Sequence, residues 1–319
     1  MMGVLGEQKR APRRGWLRKF AALTALVTAA AGLNLVGPQE AQAANSPYVP
    51  ARYRLVWSDE FEGNALNRNN WTPASGAWGD NMQMVYKDQP RNLYVKDGSL
   101  HLVAYREKNG VKTNVCGGQK VKTGKNCIQT RRYTSAMLRS RDKQYFKYGY
   151  YEARIKLPKG HSSWSSFWLL AQDKTYGDWP HSGEIDVFES KGYDPQFVQS
   201  TAHWFSKDKG KRDQSNNWNK KHFGINTQDG YHTYGLLWEP NKLTYYIDGV
   251  KTHEIKGPLR GTRTNGFMPF DKDFYLLLNH GVGGNFLEGR YNQAGGYIEG
   301  QYVNGQDMSV DYVRVYQKK

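Results

Sequence analysis

Beyond residue 44 almost no stretch repeats its apolar residues at helical spacing, and short alternating or aromatic runs recur instead. They fall at 53–57, 92–95, 100–105, 132–139, 148–157, 165–171, 183–190, 200–205, 231–238, 243–247, 250–255, 274–279 and 308–316. Turn residues punctuate them, with Asp97-Gly98 and Asp248-Gly249 marking hairpins. A chain of many short strands with regular turns is all-β and folds as a two-sheet sandwich, because each strand hides one face against another layer. The stretches 206–230 and 284–307 lack strand pattern and read as long loops over one rim. No repeat period or Pro/Ser-rich linker divides the chain, so 44–319 is expected to be one domain.

Residues 1–43 read as an address. Arg13, Arg14, Arg18 and Lys19 form a basic start, 20–36 is apolar, and Ala41-Gln42-Ala43 is a small-residue cleavage site. The Arg pair before Gly15-Trp16-Leu17 also fits a twin-arginine signal. Cleavage rather than a retained anchor is expected, giving a secreted protein with no membrane attachment. Export makes a Cys116–Cys127 disulfide the expected state, closing a Gly-, Lys- and Asn-rich hairpin loop. A zinc site would need further ligands at suitable spacing.

The chain holds 10 Trp and 22 Tyr, too many for a disordered chain and suited to stacking on sugar rings. Its net charge is +16, of which the mature part keeps about +12. That balance suits anionic partners. The cations are scattered, apart from Lys207 to Arg212 and Lys220-Lys221, and no nucleic-acid motif surrounds them, so they read as solvated loop charge. Nothing calls for an obligate oligomer, and a monomer is expected.

The segment Gly183-Glu184-Ile185-Asp186-Val187-Phe188-Glu189 sets three acids in an otherwise apolar strand. Alternation puts Glu184 and Asp186 on one face and leaves Glu189 on the other. One extra residue, a bulge at Val187-Phe188, returns Glu189 to the shared face. Glu184 and Glu189 are then about four strand steps, roughly 13 Å, apart at Cα. Two Glu side chains leaning together close that to near the ~5–5.5 Å of a retaining glycosidase. On this reading Glu184 is the nucleophile, Glu189 the acid/base and Asp186 their assistant. A solvated acidic edge strand is the plain alternative, and Ile185, Val187 and Phe188 weigh against it by marking a buried reverse face. Three carboxylates also suit Ca²⁺ or Mg²⁺, although such ligands usually come from loops with Gly turns.

At this motif the sequence resembles glycoside hydrolase family 16, whose bulged signature is E-[ILV]-D-x-x-E. Asp59-Glu60-Phe61-Glu62-Gly63, Tyr133-Thr134-Ser135, Tyr148-Gly149-Tyr150-Tyr151-Glu152-Ala153-Arg154, Trp179-Pro180 before Gly183, Tyr275-Leu276-Leu277-Leu278-Asn279, Gly281-Val282-Gly283-Gly284-Asn285 and Val310-Asp311-Tyr312-Val313-Arg314-Val315-Tyr316 are similar to other segments of that family. The resemblance implies a β-jelly-roll, concanavalin-like sandwich with a concave cleft and endo-acting, retaining hydrolysis. It points to the laminarinase, agarase and carrageenase branches. The expected substrate is a β-linked polysaccharide, β-1,3-glucan first, and no cofactor is expected for catalysis.

Trp164 and Trp168 sit four apart on one strand face, suited to sugar stacking, with core packing the alternative for Trp168. Trp179 opens the loop into the acids. The resemblance implies substrate contact for His203 and for Trp78 and Asn81 in Trp78-Gly79-Asp80-Asn81. It also implies a structural Ca²⁺ on the convex side at Glu60, the Gly98 carbonyl and Asp311. Two departures fall in the groove: Met82 and Met84 stand where laminarinases carry Glu and Gln, and Trp164-Ser165-Ser166-Phe167-Trp168 replaces W-P-A-F-W. They make a galactan or other β-glycan the rival substrate. A transglycosylase using the same acids and a non-catalytic lectin on the same sandwich are the other rivals.

Overall fold

The computed structural model describes residues 46–78, 82–115, 127–216, 224–262, 267–290 and 304–319. The expected leader over 1–43, Asn81 and Cys116 lie outside them. In chain order the strands are β1 (Tyr53–Asp59), β2 (Thr72–Pro73), β3 (Met84–Tyr86), β4 (Leu93–Lys96), β5 (Ser99–Asn114), β6 (Ile128–Ser135), β7 (Met137–Arg139), β8 (Tyr145–Phe146) and β9 (Gly149–Lys156). There follow β10 (Ser163–Ala171), β11 (Glu184–Lys191), β12 (Asp194–Ser206), β13 (Lys211–Asn216), β14 (His232–Glu239), β15 (Lys242–Ile247), β16 (Val250–Lys256), β17 (Phe274–Val282) and β18 (Gln306–Lys318). A 3-10 turn, Asn285–Arg290, is the one helical element among the described residues.

These strands make the expected all-β, two-sheet sandwich. One sheet runs β16-β15-β14-β9-β18-β5-β6-β3, with β1 also on β18 and β4 on β5. The other runs β13-β12-β11-β10-β17-β7-β2, with β8 on β17. Alternate side chains turn inward and build the core: Tyr151, Ala153 and Ile155 from β9 meet Phe167 and Leu169 from β10, Ile185 from β11, and Leu276 and Leu278 from β17. Each large apolar side chain so buried contributes about 1.5–3 kcal/mol. Asp97-Gly98 and Asp248-Gly249 make the expected tight hairpins. Both central residues have positive φ (51° and 72°, 48° and 76°), the conformation whose twist suits flanking strands.

Three expectations are corrected. The run at 132–139 is two strands, because the chain leaves β6 in one sheet and enters β7 in the other around the buried Ala136. The stretch 206–230 contains β13, an edge strand on β12. Its sequence Lys-Arg-Asp-Gln-Ser-Asn is polar on both faces, so no apolar alternation announces it. The stretch 284–307 includes the 3-10 turn, and β18 already starts at Gln306. Strands β2, β3 and β8 are too short to show a period.

Candidate active site

A cleft of about 640 Å³ lies over the outer face of the β13-to-β2 sheet. Its floor is β11 between β10 and β12, and Glu184, Asp186 and Glu189 all line it. The ladder explains how. On β10, Glu184 pairs with Leu170, Asp186 with Trp168 and Glu189 with Ser166, and all three partners line the same cleft. On β12, Asp186 pairs with Thr201 and Glu189 with Gln199. Both neighbours therefore skip one residue of β11, and the bulge falls at Val187-Phe188 as alternation demands. Val187 and Phe188 both turn into the core, where Phe188 packs 4.2 Å from the Tyr234 ring. Ser200 Oγ donates to the Val187 carbonyl at 2.8 Å, satisfying the group that the bulge takes from the ladder. The four strand steps from Ser166 to Leu170 fix the spacing of Glu184 and Glu189 at about 13 Å between Cα atoms.

The acids are individually held. Trp179 Nε1 donates to Glu184 Oε2 at 2.5 Å, and Trp164 Nε1 donates to Glu189 Oε1 at 3.2 Å. His203 Nε2 stands 3.2 Å from Asp186 Oδ2. Burial lifts the Glu184 carboxyl well above the ordinary carboxylate range, and the neighbouring Asp186 charge lifts it further. His203 and the Trp179 N–H pull the other way. Burial pushes Asp186 up to about 7, against its hydrogen bond with Glu184 and the charge of Arg212. The two carboxyls titrate as a pair. Glu184, Asp186 and His203 bring ligand atoms within 4.8 Å of one another, a donor set that could also hold a metal ion.

The aromatic residues separate by place. Trp164 lies in the cleft with its ring stacked on Phe286 at 5.0 Å. Trp168 lines the floor, tied to Asn279 Oδ1 at 2.7 Å, with Trp78 edge-on to it at 6.3 Å. Trp179 is 51% exposed and forms part of the rim. Several lining residues carried no signal in the sequence. Asn279 follows three leucines and precedes His280 on β17, while Arg212 and Gln214 sit on the edge strand that read as loop. Lys191, Gln199, Tyr86 and Met137 complete the wall. The cleft is thus polar and cationic toward β13, and aromatic and thioether-lined toward β3. A smaller cavity of about 190 Å³, walled by Tyr176, His181, Phe205 and Lys207, has no carboxylate in its lining.

The three residues expected at calcium do meet one stretch of β18. Strands β5 and β1 share its edge, with Leu100 opposite Val310 and Asp59 opposite Val313, so Gly98 and Glu60 flank Asp311. Both acids are taken by arginines, however. Arg314 donates to both Glu60 oxygens at 3.0 and 2.7 Å, and Arg154 donates to Asp311 at 2.7 Å. Paired in this way, the residues do not fit a cation. The expected disulfide involves Cys116, outside the described residues; Cys127 is buried, and its carbonyl accepts the Val115 N–H at 2.8 Å.

Residues 55–318 match the family model "Beta-porphyranase A-D, GH16 domain". The chain is 31% identical over 301 residues to the glucan endo-1,3-beta-glucosidase A1 of Niallia circulans, covering 89% of this chain but only 41% of that protein. It is 33% identical over 240 residues to the glucan endo-1,3-beta-glucosidase of Cryptopygus antarcticus, covering 74% of this chain and 82% of that one. Among solved structures, the endo-beta-1,3-glucanase of Pyrococcus furiosus superposes with a TM-score of 0.67 at 29% identity, over 86% of this chain and 99% of that one. The sandwich is therefore of the jelly-roll kind expected.

Proposed function

This chain belongs to glycoside hydrolase family 16, and from that premise we propose that it is a secreted, retaining endo-β-glycanase whose first substrate is a β-1,3-glucan. The observation that carries the reading is the bulged placement of Glu184 and Glu189 on one face, four strand steps apart, at the centre of an aromatic-walled cleft. Two extended Glu side chains take up ~7–8 Å of the ~13 Å, leaving the short gap of a double displacement rather than the ~6.5–9.5 Å that an inverting enzyme gives to water.

In this assignment Glu184 attacks the anomeric carbon while Glu189 gives its proton to the leaving oxygen. Glu189 then takes a proton from water as the water releases the glycosyl intermediate. Asp186 raises the proton affinity of Glu184, while His203 and the Trp179 N–H favour the charged form that attacks, so these three neighbours set its protonation state. Trp164 orients Glu189, and Trp168 and Trp78 offer faces to sugar rings; Asn81 is assigned to the same groove on the resemblance alone. The leader over 1–43, the Cys116–Cys127 bridge and a monomeric enzyme in the extracellular space belong to the same proposal. A galactan is the second reading, favoured by Met82, which lines the cleft where laminarinases carry Glu.

Product release from laminarin, lichenan, agarose, carrageenan and a β-galactan, with wild type and Glu184→Gln, tests it. Cleavage of laminarin by wild type alone supports the chemistry and the glucan. Cleavage of a galactan keeps the chemistry and moves the substrate. Equal cleavage by Glu184→Gln ends the assignment of the nucleophile, and binding without cleavage by wild type favours a lectin.

A further inference from the structure

Beside Glu189 the wall of the cleft is a run of stacked rings. Trp164 reaches the acid, donating from Nε1 to Glu189 Oε1 at 3.2 Å. On β17 Trp164 pairs with Gly281, which offers no side chain for the indole to lean on. Phe286, from the 3-10 turn Asn285–Arg290, supplies one. Its ring stacks on Trp164 with centroids 5.0 Å apart and planes 23° from parallel, an arrangement in which aromatic pairs attract beyond their burial. Phe286 is itself held by two groups. The Phe197 ring meets it edge-on at 6.1 Å. Lys191, buried two residues past Glu189 on β11, places Nζ 4.5 Å from the centre of the Phe286 ring and 5.0 Å from that of Phe197. An ammonium is drawn to ring faces, so Lys191 ties both rings to the strand that carries the acid. The turn is anchored too. Leu287 is fully buried, and the Gly283 N–H donates to the Ser162 carbonyl at 2.8 Å.

Phe286 lines the cleft, yet three protein groups already engage its ring, and one of them holds Glu189. A proton donor works only within hydrogen-bond reach of the oxygen it serves, and a displacement of about 1 Å can cost about a hundredfold. We propose that Phe286 is a positioning residue for the acid/base, holding the Trp164 indole so that Glu189 meets the glycosidic oxygen. The proposal rests on the assignment of Glu189 as proton donor. Without the ring, Trp164 turns and Glu189 moves with it, while Glu184 keeps its separate tie to Trp179. The attack is then intact and the protonation is not. A dinitrophenolate departs without a proton, whereas a phenolate or a sugar oxygen needs one. A misplaced donor therefore shows as a rate that falls as the leaving group becomes more basic.

The test measures kcat/KM on dinitrophenyl and phenyl β-glycosides of the disaccharide unit of the polymer that wild type cleaves, laminaribiose on the glucan reading. Phe286→Leu should stay within about twofold of wild type on the dinitrophenyl glycoside and fall about tenfold or more on the phenyl glycoside. Phe286→Tyr, which keeps the ring, should retain most of the phenyl-glycoside rate. Trp164→Phe, which keeps a ring and drops the N–H, should repeat the Phe286→Leu pattern and tests the link even where Phe286→Leu folds poorly. Equal losses on the two glycosides would make Phe286 a sugar contact and overturn the proposal. So would an unchanged phenyl-glycoside rate in Phe286→Leu, or losses in Trp164→Phe that ignore the leaving group. Glu189→Ala reports on the reading beneath. It should show the steepest dependence on the leaving group and yield a β-glycosyl azide when azide is added, since azide attacks the glycosyl intermediate without a general base. A Glu189→Ala whose losses ignore the leaving group fails the acid/base assignment itself, and the proposal with it.

Discussion

Deleting Val187 separates the geometry of the acids from the residues that create it. In the native strand, 184 and 186 face the cleft, 185, 187 and 188 face the core, and 189 faces the cleft again. Without Val187 the remaining five residues alternate regularly, and all three acids keep the cleft face with no bulge. Their partners on β10, Leu170 and Ser166, stay four steps apart, so the spacing of the acids remains about 13 Å at Cα. The deletion loses the burial of one valine, about 1.5–3 kcal/mol. It also loses the Ser200 Oγ bond to the Val187 carbonyl, about 1 kcal/mol. A loss of about 2.5–4 kcal/mol should appear as a lower urea midpoint with an unchanged slope. Hydrolysis, assayed at a temperature where the variant is folded, should stay within about tenfold of wild type, a barrier change near 1.4 kcal/mol. Val187→Ala provides the control, weakening the core while leaving the bulge. A folded deletion variant whose rate falls by about a hundredfold or more, while Val187→Ala retains its rate, would refute the claim that face and spacing are what the bulge supplies.

Two further outcomes follow from charge. Glu184 and Asp186 bind protons more tightly folded than unfolded, so their contribution to stability is complete below the ordinary carboxylate values near 4 and drains away as pH rises to about 7 and beyond. Glu184→Gln should therefore be more stable than wild type above pH ~7, with the difference shrinking toward pH ~4; a constant difference across that range would contradict the assignment. Glu152, lifted by burial beneath Ser46 and Tyr312, remains in both proteins and cancels. On the opposite sheet, EDTA should leave Tm unmoved, whereas Arg314→Met should cost about 3 kcal/mol by stranding Glu60. A Tm that falls with chelator and returns with Ca²⁺ would instead establish the ion there.

The sequence made the centre of the molecule plain because buried strands leave a period. Glu189 on the wrong face of an otherwise regular strand was enough to locate the bulge, and the neighbouring ladders place it there. The rims were less legible. The stretch 211–215 buries little of either face, so nothing in its hydropathy distinguished it from loop; Arg212 read as solvated loop charge and Gln214 went unread. Met82 was noticed only as a departure, and its place beside Tyr86 depends on an isolated bridge to Gly283, a contact between distant parts of the chain. Glu60 and Asp311 were expected at calcium on the resemblance alone, and their pairing with arginines was not legible, since Arg314 lies 254 positions from Glu60.

The place of the acids in the sheet also bears on how such an enzyme changes its diet over generations. They stand on β11, hydrogen-bonded on both sides and backed by Ile185, Val187 and Phe188, where almost any replacement disturbs the packing of two neighbours. The side chains that line the cleft farther along come from its two ends, Arg212 and Gln214 on the outermost strand and the buried Met82 and Tyr86 at the other. Arg212 and Gln214 are exposed, so replacing them should cost little stability and can alter what the cleft holds without disturbing the acids. On the proposed assignment, the edge that would choose the sugar can change without altering the packing that holds the acids.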